Sequence, residues 1–401
     1  MLSVAEAQSL VLKQALALPP EPTRLGPSAL GLVVAEDVAS DIDMPPFDKA
    51  LMDGYAFRFE DFRASGPVLD IAGELMAGQI QDRPLGPKEA VRIMTGAPVP
   101  VGADTVVMIE RTRVVDGDRV EIQDGTIRLG SNVLGLGREM RRGEVVLSRG
   151  TTLRPQELGL LATVGRTSVQ THPRPNVAII CTGDELVEAG EQPGGGQIRN
   201  GNGPMIAGLV SRAGARPDYL GIAKDEMSHL RQLIGRGLES SVLILSGGVS
   251  AGKRDLVPAA LEEMRVQAHF HKVAMKPGKP VFFGARGQTL VFGLPGNPVS
   301  SLVCVELFVR PAVRVLAGHA EAGPQVVDAV AEEDFTYATD RPTYYPALLR
   351  ADAAGWRVQM VPWFGSADLR GVTRCNSLAI LPAGDNRIKA GQLQAVLRMD
   401  Q

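Results

Sequence analysis

The chain has 401 residues, of which 44% are hydrophobic and 22% charged, and its formal net charge is -3. This length allows two to four domains. The near-balanced charge excludes a general nucleic-acid binder, which would carry a basic excess. Aromatic residues make up 4% of the chain, so a stacking surface for single-stranded nucleic acid is not expected. Any affinity for anions must therefore be local.

The N-terminal residues 3–18 have helical periodicity and are stopped by Pro19 and Pro20. Glu6 lies inside the apolar stretch and no basic start precedes it, which favours an amphipathic helix over a signal peptide. No apolar run approaches membrane-spanning length. The three cysteines are far apart and lack metal-ligand spacing, which indicates buried thiols in a reducing cytoplasm. We therefore expect a cytoplasmic protein with no membrane contact.

Residues 32 to about 150 consist of short β-branched runs separated by Gly, Pro and Asp, which predicts an all-β module or a pair of them. The predicted strands include Val68–Ile71, Ala90–Met94, Thr105–Glu110, Arg113–Val115, Val120–Ile122 and Val145–Leu147. A helix over Arg154–Val164 and a proline-containing linker at residues 172–175 follow.

Strands and helices then alternate, which predicts a doubly wound α/β domain with a largely parallel sheet. The predicted strands are Asn176–Thr182, Pro217–Ile222, Ser241–Leu245, 266–272, 281–283 and 289–293. The predicted helices are Gly203–Gly214, 226–238, 256–264 and a long one from Pro298 to about Leu316. Such a sheet binds its ligand at the carboxyl ends of its strands. Five further β runs beyond residue 322 predict a small barrel or sandwich.

Two loops late in the α/β region predict an anion pocket. The segment K-V-A-M-K-P-G-K-P (272–280) places Lys272, Lys276 and Lys279 close together, and P-G-N-P (295–298) opens the long helix. Asn297 suits the N-cap of that helix and Pro298 suits its first turn. The positive end of the helix beside lysines favours a multiply charged anion.

Loops from other strands should reach the same rim. They contribute Gly183, Asp184 and Glu185, then Asp225, then Ser246, Gly247, Gly248, Ser250 and Asp255. Glycine-rich backbone and lysines suit phosphate, whereas carboxylates suit Mg²⁺ that bridges phosphates. A nucleotide or another phosphate-bearing ligand with a divalent cation is therefore expected.

Several of these residues also have a purely structural interpretation. Asp225 and Asp255 each precede a predicted helix and could act as N-caps, which is compatible with metal contact. Glu185 could be a solvated turn residue, and Lys279 taken alone suggests surface charge. Asp53 and Thr95, in the β region, are interpreted from the residues alone as parts of a turn and a strand.

A series of longer motifs runs through the chain in order. They are P-P-F-D-K-A-L-M-D-G-Y-A (45–56), M-T-G-A-P-V-P-V-G-A-D-T-V-V-M-I-E (94–110), T-G-D-E-L (182–186), I-R-N-G-N-G-P-M (198–205), S-G-G-V-S-A-G-K-R-D (246–255), K-P-G-K-P (276–280) and G-L-P-G-N-P-V-S (293–300). Together they resemble the molybdopterin molybdenumtransferase family, which includes bacterial MoeA proteins and the E domain of gephyrin.

The resemblance implies a multidomain fold of four parts. Residues 1–45 and 140–173 would form an elongated dimerisation domain around an inserted β domain at 46–139. A MogA-like α/β molybdopterin-binding domain at 174–318 and a C-terminal β-barrel at 323–401 would follow. The family forms homodimers whose cleft is shared between chains, which would bring Asp53 and Thr95 to the rim of the α/β domain.

The implied reaction is the Mg²⁺-dependent insertion of molybdate into adenylylated molybdopterin, which releases AMP and forms molybdenum cofactor. The resemblance assigns catalytic roles to Asp53, Thr95, Glu185, Asp225, Asp255, Lys272 and Lys276, with Asp225 and Asp255 holding Mg²⁺. It assigns substrate contacts to Gly183, Asp184, Ser246, Gly247, Gly248, Ser250, Gly278, Lys279, Pro295, Gly296, Asn297, Pro298 and Ser366. It also allows a transient contact with the pterin adenylyltransferase of the same pathway.

Two other functions are compatible with parts of the chain. The first is nucleotidyl transfer to the pterin, because the α/β domain resembles that partner enzyme. The second is a protein-binding scaffold without catalysis, a role that gephyrin also has. The additional domains disfavour the first, and the intact carboxylates and lysines disfavour the second.

Overall fold

Six strands form the central sheet in a computed structural model that describes residues 1–249 and 256–399. The strands are β1 Asn176–Thr182, β2 Arg216–Ala223, β3 Val242–Ser246, β4 Gln267–His271, β5 Phe282–Arg286 and β6 Thr289–Leu294. Their spatial order is β2-β1-β3-β6-β5-β4. The first four in this order are parallel, and β5 and β4 add an antiparallel edge. The predicted doubly wound sheet is confirmed.

Helices cover both faces of this sheet because both faces are apolar. They are α1 Asn202–Arg212, α2 Met227–Gly237, α3 Val257–Glu263, α4 Pro298–Cys304 and α5 Arg310–Leu316. Along β1, Val177 and Ile179 pack into one core while Ala178 and Ile180 pack into the other. This period of two arises because successive strand side chains point to opposite faces. Burying each of the larger side chains contributes roughly 1.5–3 kcal/mol.

The predicted long helix is not uniform. A π-helical segment, Val305–Val309, joins α4 to α5 and carries the buried Glu306. Its carboxylate accepts from Arg212 at 2.5 Å and from Arg310 at 2.9 Å. Removing one member of such a buried pair typically costs about 3–5 kcal/mol, because the remaining charge loses its partner.

The C-terminal region contains a closed barrel, which decides between the predicted barrel and sandwich. The described part of this region has seven strands, five of them in the barrel: β7 Val326–Ala331, β8 Phe335–Thr339, β9 Thr343–Asp352, β10 Gly355–Met360, β11 Ser377–Leu381, β12 Gly384–Ile388 and β13 Leu393–Arg398. The barrel order is β7-β10-β9-β11-β13, and β8 pairs with β12 as a separate ribbon. Neither β8 nor β12 is predicted from the sequence; G-D-N-R-I has little apolar character, which accounts for β12 alone. A short helix spans Leu369–Val372.

The chain divides into two compact units. The first contains Met1–Glu36, Gly150–Arg154 and the described residues from Ser168 onward. Besides the sheet and barrel it includes a helix, Val4–Gln14, and a three-stranded sheet of Glu21–Arg24, Ser168–His172 and Val33–Val34. A small parallel pair, Leu186–Val187 and Ile198–Arg199, follows β1.

The prediction that the N-terminal helix reaches residue 18 is wrong. The helix ends at Gln14, and Ala15 already has extended backbone angles. The chain then runs to Leu18, whose N–H donates to the carbonyl of Leu316 at the end of α5. The residues between the helix and Pro19 are therefore not helical, and the last of them is hydrogen-bonded to the end of α5. In the described part of the chain, no helix is both long and apolar enough to cross a bilayer.

The second unit, Asp37–Arg149 with Pro155–Thr167, is mostly β structure, as predicted. Its six-stranded sheet has the order Thr105–Met108, Gly54–Phe57, Glu89–Ile93, Val68–Leu75, Arg119–Ile122 and Thr112–Val115. Two short ribbons pair Val133–Leu134 with Lys49–Ala50 and Val145–Leu147 with Val38–Ala39. Its helices are Phe59–Ser65 and Pro155–Thr163.

Candidate active site

The first cavity lies at the carboxyl ends of the parallel strands and has a volume of about 710 Å³. We call it the strand-end pocket. Strands β1, β3 and β6 end side by side, since Cys181 pairs with Ser246 and Ser246 pairs with Leu294. The loops that follow these strands therefore open at one edge, as expected for a parallel sheet. Ten predicted residues line this cavity: Gly183, Glu185, Asp225, Ser246, Gly247, Gly248, Pro295, Gly296, Asn297 and Pro298.

Gly247 has to be glycine because of its backbone and its neighbour. Its φ is +96°, and an added Cβ would lie 2.5 Å from the carbonyl oxygen of Thr182. Its N–H donates to the carbonyl of Leu294 at 3.0 Å, so this donor is not available to a phosphate. Gly247 therefore shapes the pocket by letting two strand ends approach each other.

Among the described residues, two carboxylates line the strand-end pocket, those of Glu185 and Asp225. Asp184 is absent from the lining, but its side chain accepts from the backbone N–H of Asp225 at 3.1 Å. The N-cap of α2 is Glu226, which makes no side-chain cap, so the N-cap interpretation of Asp225 is wrong. Asp184 thus holds the loop that presents Asp225. Ser250 and Asp255, both predicted here, lie outside the described residues.

Asn202 is a site residue that was not predicted from the sequence, although it lies in the motif I-R-N-G-N-G-P-M. Its side-chain amide donates to Ser246 Oγ at 2.9 Å and to the carbonyl of Gly296 at 2.8 Å. Asn202 therefore joins two of the loops that form the strand-end pocket. Arg199 also lines this pocket, and its guanidinium donates to the carbonyl of Glu191 and to the side chain of Gln192.

The second cavity has a volume of about 500 Å³ and contains two of the three predicted lysines. We call it the lysine pocket. Its predicted lining residues are Lys276, Gly278, Lys279, Pro295, Asn297 and Ser366. It also contains Arg341, Tyr337 and Trp363, which the sequence analysis missed because they lie in the barrel region. Lys272 is exposed and is not among the described residues that line either pocket.

The backbone of Lys276 is fixed to the start of β9. Its N–H donates to the carbonyl of Pro342 at 2.8 Å, and its carbonyl accepts from Tyr344 N–H at 2.8 Å. Its side chain lies over the ring of Tyr337, with Nζ 5.1 Å from the ring centroid. The lysine loop of the α/β domain is therefore oriented by the barrel.

Asn297 occupies the predicted N-cap position, but it does not cap the helix with its side chain. Its amide donates instead to Ser366 Oγ at 2.8 Å, and Val299 N–H donates to the carbonyl of Ser366 at 3.0 Å. One N–H of the first turn is thus used by the barrel segment rather than left for an anion. Pro280, Pro295 and Asn297 line both pockets, so the two cavities adjoin.

The segment that carries Ser366 is itself held by an acidic side chain. Asp368 accepts from Gly371 N–H at 2.9 Å and from Phe364 N–H at 3.1 Å. Both hydrogen bonds lower the pKa of the Asp368 carboxyl below its ordinary value, and the bond from Gly371 N–H has the larger effect. Phe364, at the mouth of the lysine pocket, is 93% exposed.

Asp53 and Thr95 lie in the second unit and contact each other. The Asp53 carboxylate accepts from both the hydroxyl and the backbone N–H of Thr95, each at 2.7 Å. Both hydrogen bonds lower the pKa of the Asp53 carboxyl below its ordinary value, and the bond from the Thr95 hydroxyl has the larger effect. This geometry keeps Asp53 ionised at neutral pH.

Within the described residues, neither a cysteine nucleophile nor a metal site enclosed by protein side chains alone is supported. Burial raises the pKa of Cys181 to about 11, so its thiol is not a ready nucleophile at neutral pH. No group of three or more His, Cys, Asp or Glu side chains in the described ranges could enclose a metal ion. Mg²⁺ does not need such a group, since it is commonly bound by one or two carboxylates together with substrate phosphates. Glu185 and Asp225 fit that kind of site.

Three family models match the chain in order. They are the MoeA N-terminal region (domains I and II) over residues 2–165, a probable molybdopterin binding domain over residues 178–315, and the MoeA C-terminal region (domain IV) over residues 328–398.

Similar proteins align along nearly the whole length. A molybdopterin molybdenumtransferase of Staphylococcus aureus is 35% identical over 401 residues, covering 97% of this chain and 93% of that protein. One from Staphylococcus epidermidis is 33% identical over 405 residues, covering 99% and 95%. The crystal structure of the molybdopterin biosynthesis MoeA protein of Pyrococcus horikoshii has a TM-score of 0.83 at 27% identity, covering 99% of this chain and 100% of that one.

Proposed function

The chain belongs to the molybdopterin molybdenumtransferase family of molybdenum cofactor biosynthesis, and we propose that it inserts molybdate into adenylylated molybdopterin with Mg²⁺ and releases AMP. The observation that carries this proposal is the pair of adjoining pockets. One contains carboxylates at the strand ends, and the other contains cations without a carboxylate among its described lining residues.

The strand-end pocket suits the pyrophosphate of the substrate. Asp225, with Asp255 and with Glu185 nearby, would hold Mg²⁺ there, and Mg²⁺ would supply charge neutralisation at the bond between the phosphates. Ser246, tied to Asn202, offers its hydroxyl to the ligand. Asp184 supports this set by holding the backbone of Asp225. These are positioning roles and require no covalent intermediate on the protein.

The lysine pocket suits molybdate, a divalent oxyanion. Lys276, Lys279 and Arg341 line it, and Gly278 allows the backbone to turn beneath them. An added Cβ on Gly278 would lie 2.7 Å from Cys304 Sγ. The cations compensate the charge of the oxyanion and hold it beside the dithiolene sulfurs. We assign Lys272 a smaller role, because its side chain lies outside both linings.

We further propose the dimeric arrangement implied by the family, in which Asp53 and Thr95 of one protomer complete the site of its partner. The four-part division at residues 1–45 with 140–173, 46–139, 174–318 and 323–401 belongs to the same proposal, as does a transient contact with the pterin adenylyltransferase. We propose the cytoplasm as the location, because the three cysteines are widely spaced along the chain and lack metal-ligand spacing.

One assay tests the proposed reaction. Purified protein is incubated with adenylylated molybdopterin, molybdate and Mg²⁺, and AMP release is followed over time. The proposal predicts turnover that requires both ions, and predicts that Asp255→Ala abolishes most of it while the protein remains folded. With ATP and non-adenylylated molybdopterin supplied instead, consumption of ATP with release of pyrophosphate would indicate a nucleotidyltransferase. Binding of protein ligands without turnover would indicate a scaffold.

A further inference from the structure

The side chain of Lys276 is held by an aromatic ring rather than by an acid. Its ammonium lies 5.1 Å from the centroid of the Tyr337 ring, and both residues line the lysine pocket. A cation at this distance from a ring is attracted by the negative potential of the aromatic face. Within residues 1–249 and 256–399, no carboxylate forms an ion pair with Lys276.

This choice of partner has a chemical consequence. A carboxylate would neutralise the ammonium and occupy its N–H donors, and it would also repel an incoming oxyanion. An aromatic face orients the ammonium while leaving its positive charge in place. By contrast, the guanidinium of Arg341, in the same pocket, already pairs with Asp340 at 3.2 Å. Lys276 is therefore the better placed of these two cations to receive an anion.

Tyr337 is itself held on several sides. Its ring packs edge-on against Tyr345, with centroids 5.1 Å apart, and lies 6.2 Å from Phe335. Its carbonyl accepts from the side-chain amide of Asn386, on the paired strand β12, at 3.2 Å. Because the backbone of Lys276 is also fixed, both partners of the cation–π contact are restrained before any ligand binds.

We propose that Tyr337 is a positioning residue that orients the Lys276 ammonium toward a tetrahedral oxyanion without neutralising its charge. The proposal rests on the proposed function only in taking molybdate as that oxyanion. It assigns a role in the site to the ribbon of β8 and β12, since Tyr337 lies on β8 and Asn386 on β12.

A double-mutant cycle tests this inference. Sodium molybdate is titrated into wild type, Lys276→Gln, Tyr337→Leu and the double variant by calorimetry, and the KM for molybdate is measured in the AMP-release assay. Tyr337→Leu should weaken molybdate binding about 5–20-fold and raise the KM for molybdate more than it lowers kcat. In the Lys276→Gln background the same substitution should have no further effect, because its partner is already absent.

Three controls complete the design. Tyr337→Phe keeps the aromatic face and should bind molybdate within about twofold of wild type. Trp356→Leu removes another cation–π contact of the barrel, the one with Arg398, and should leave molybdate binding unchanged. Tyr337→Met serves as a second variant without a π face should Tyr337→Leu not fold.

The outcomes separate the two proposals. If Lys276→Gln weakens molybdate binding but neither Tyr337→Leu nor Tyr337→Met does, the role of Tyr337 is refuted and the proposed anion site remains. An equal loss from Tyr337→Leu in both backgrounds would show a general structural effect and would also overturn the inference. If Lys276→Gln itself leaves molybdate binding and its KM unchanged, the anion site of the proposed function fails as well.

Discussion

The strand-end pocket and the lysine pocket share Pro280, Pro295 and Asn297, yet they are built in different ways. The strand-end pocket is formed mainly by loops that follow neighbouring strands of one sheet. The lysine pocket combines two segments of the α/β domain, 275–280 and 295–300, with residues of the C-terminal region between Tyr337 and Ser366. Parallel strand pairing brings together most of the loops that form the strand-end pocket. The lysine pocket forms only where the C-terminal region packs against the α/β domain.

The two pockets also differ in charge. Glu185 and Asp225 line the strand-end pocket together with Arg199, whereas Lys276, Lys279 and Arg341 line the lysine pocket. A net charge of -3 for the whole chain conceals this local separation. Opposite charges in adjoining cavities suit a substrate that carries metal-bound phosphates at one end and meets an oxyanion at the other. The following substitutions test whether the pockets have these separate tasks.

The largest effect is expected from Lys276→Ala. Loss of this ammonium should lower kcat/KM for AMP release about 10²–10³-fold, the range seen when one preorganised charge stabiliser is removed. Lys272→Ala should cost much less, because Lys272 lies outside both linings. Lys389→Ala, which changes a surface lysine paired with Asp334, is the matched control and should retain full activity. Equal losses in Lys272→Ala and Lys276→Ala would contradict the assignment.

The next effect is expected from Asp225→Asn. This change removes a carboxylate from the strand-end pocket and should lower activity about 10–100-fold, with a higher Mg²⁺ concentration needed for half-maximal rate and an unchanged KM for molybdate. Glu226→Gln makes the same change of charge one residue later, outside the described lining, and should behave as wild type. A shift in the molybdate KM instead of the Mg²⁺ requirement would show that the pockets do not divide the work.

A smaller effect is expected from Asn202→Ala. The substitution removes the bonds to Ser246 and Gly296, so the two loops should separate and the KM for the pterin nucleotide should rise about 5–10-fold. Stability should fall by about 1 kcal/mol, measured by urea unfolding. Steady-state kinetics with each substrate varied in turn give the result. An unchanged nucleotide KM would mean that Asn202 only supports the fold.

The smallest effect concerns Asp368 and pH. The folded-state pKa of Asp368 lies below the ordinary value of 3.8. The stabilisation that its carboxylate gives to the segment 364–371 is therefore complete above pH 3.8 and is lost as pH falls through the folded-state pKa. Hydrogen-exchange protection of the Phe364 and Gly371 amides, corrected for intrinsic rates, should therefore fall below about pH 4. Asp368→Asn should lose this pH dependence and change the molybdate KM by about twofold. Protection that is flat from pH 7 to pH 2 in wild type would refute this role.

The sequence predicted the strand-end pocket better than the lysine pocket for a physical reason. The predicted strands end at Thr182, Leu245 and residue 293, within one residue of the observed ends, and parallel pairing then brings the following loops together. Nothing local indicates that Tyr337 contacts Lys276, because that contact depends on how the barrel packs. Asn297 shows the same limit: its position at the helix start was predicted correctly, but its side chain bonds to Ser366 instead of capping the helix.

The family and the fold class are confirmed, whereas the roles of individual residues stay predictions. The motifs identify the family because they extend through all three matched regions. They do not show which lysine faces a ligand: Lys272 and Lys276 stand in one short loop, yet only Lys276 is among the described lining residues. The helix ends were less predictable: the N-terminal helix ends at Gln14, although helical periodicity continues to residue 18.

The most direct measurement is a crystal structure with AMP, Mg²⁺ and molybdate bound, in which anomalous scattering at the molybdenum edge locates the metal. The account predicts the molybdenum within hydrogen-bonding reach of Lys276 Nζ through its oxygens, and the AMP phosphate beside Asp225 and Ser246. Molybdenum in the strand-end pocket, or AMP in the lysine pocket, would contradict the division of tasks between the two cavities.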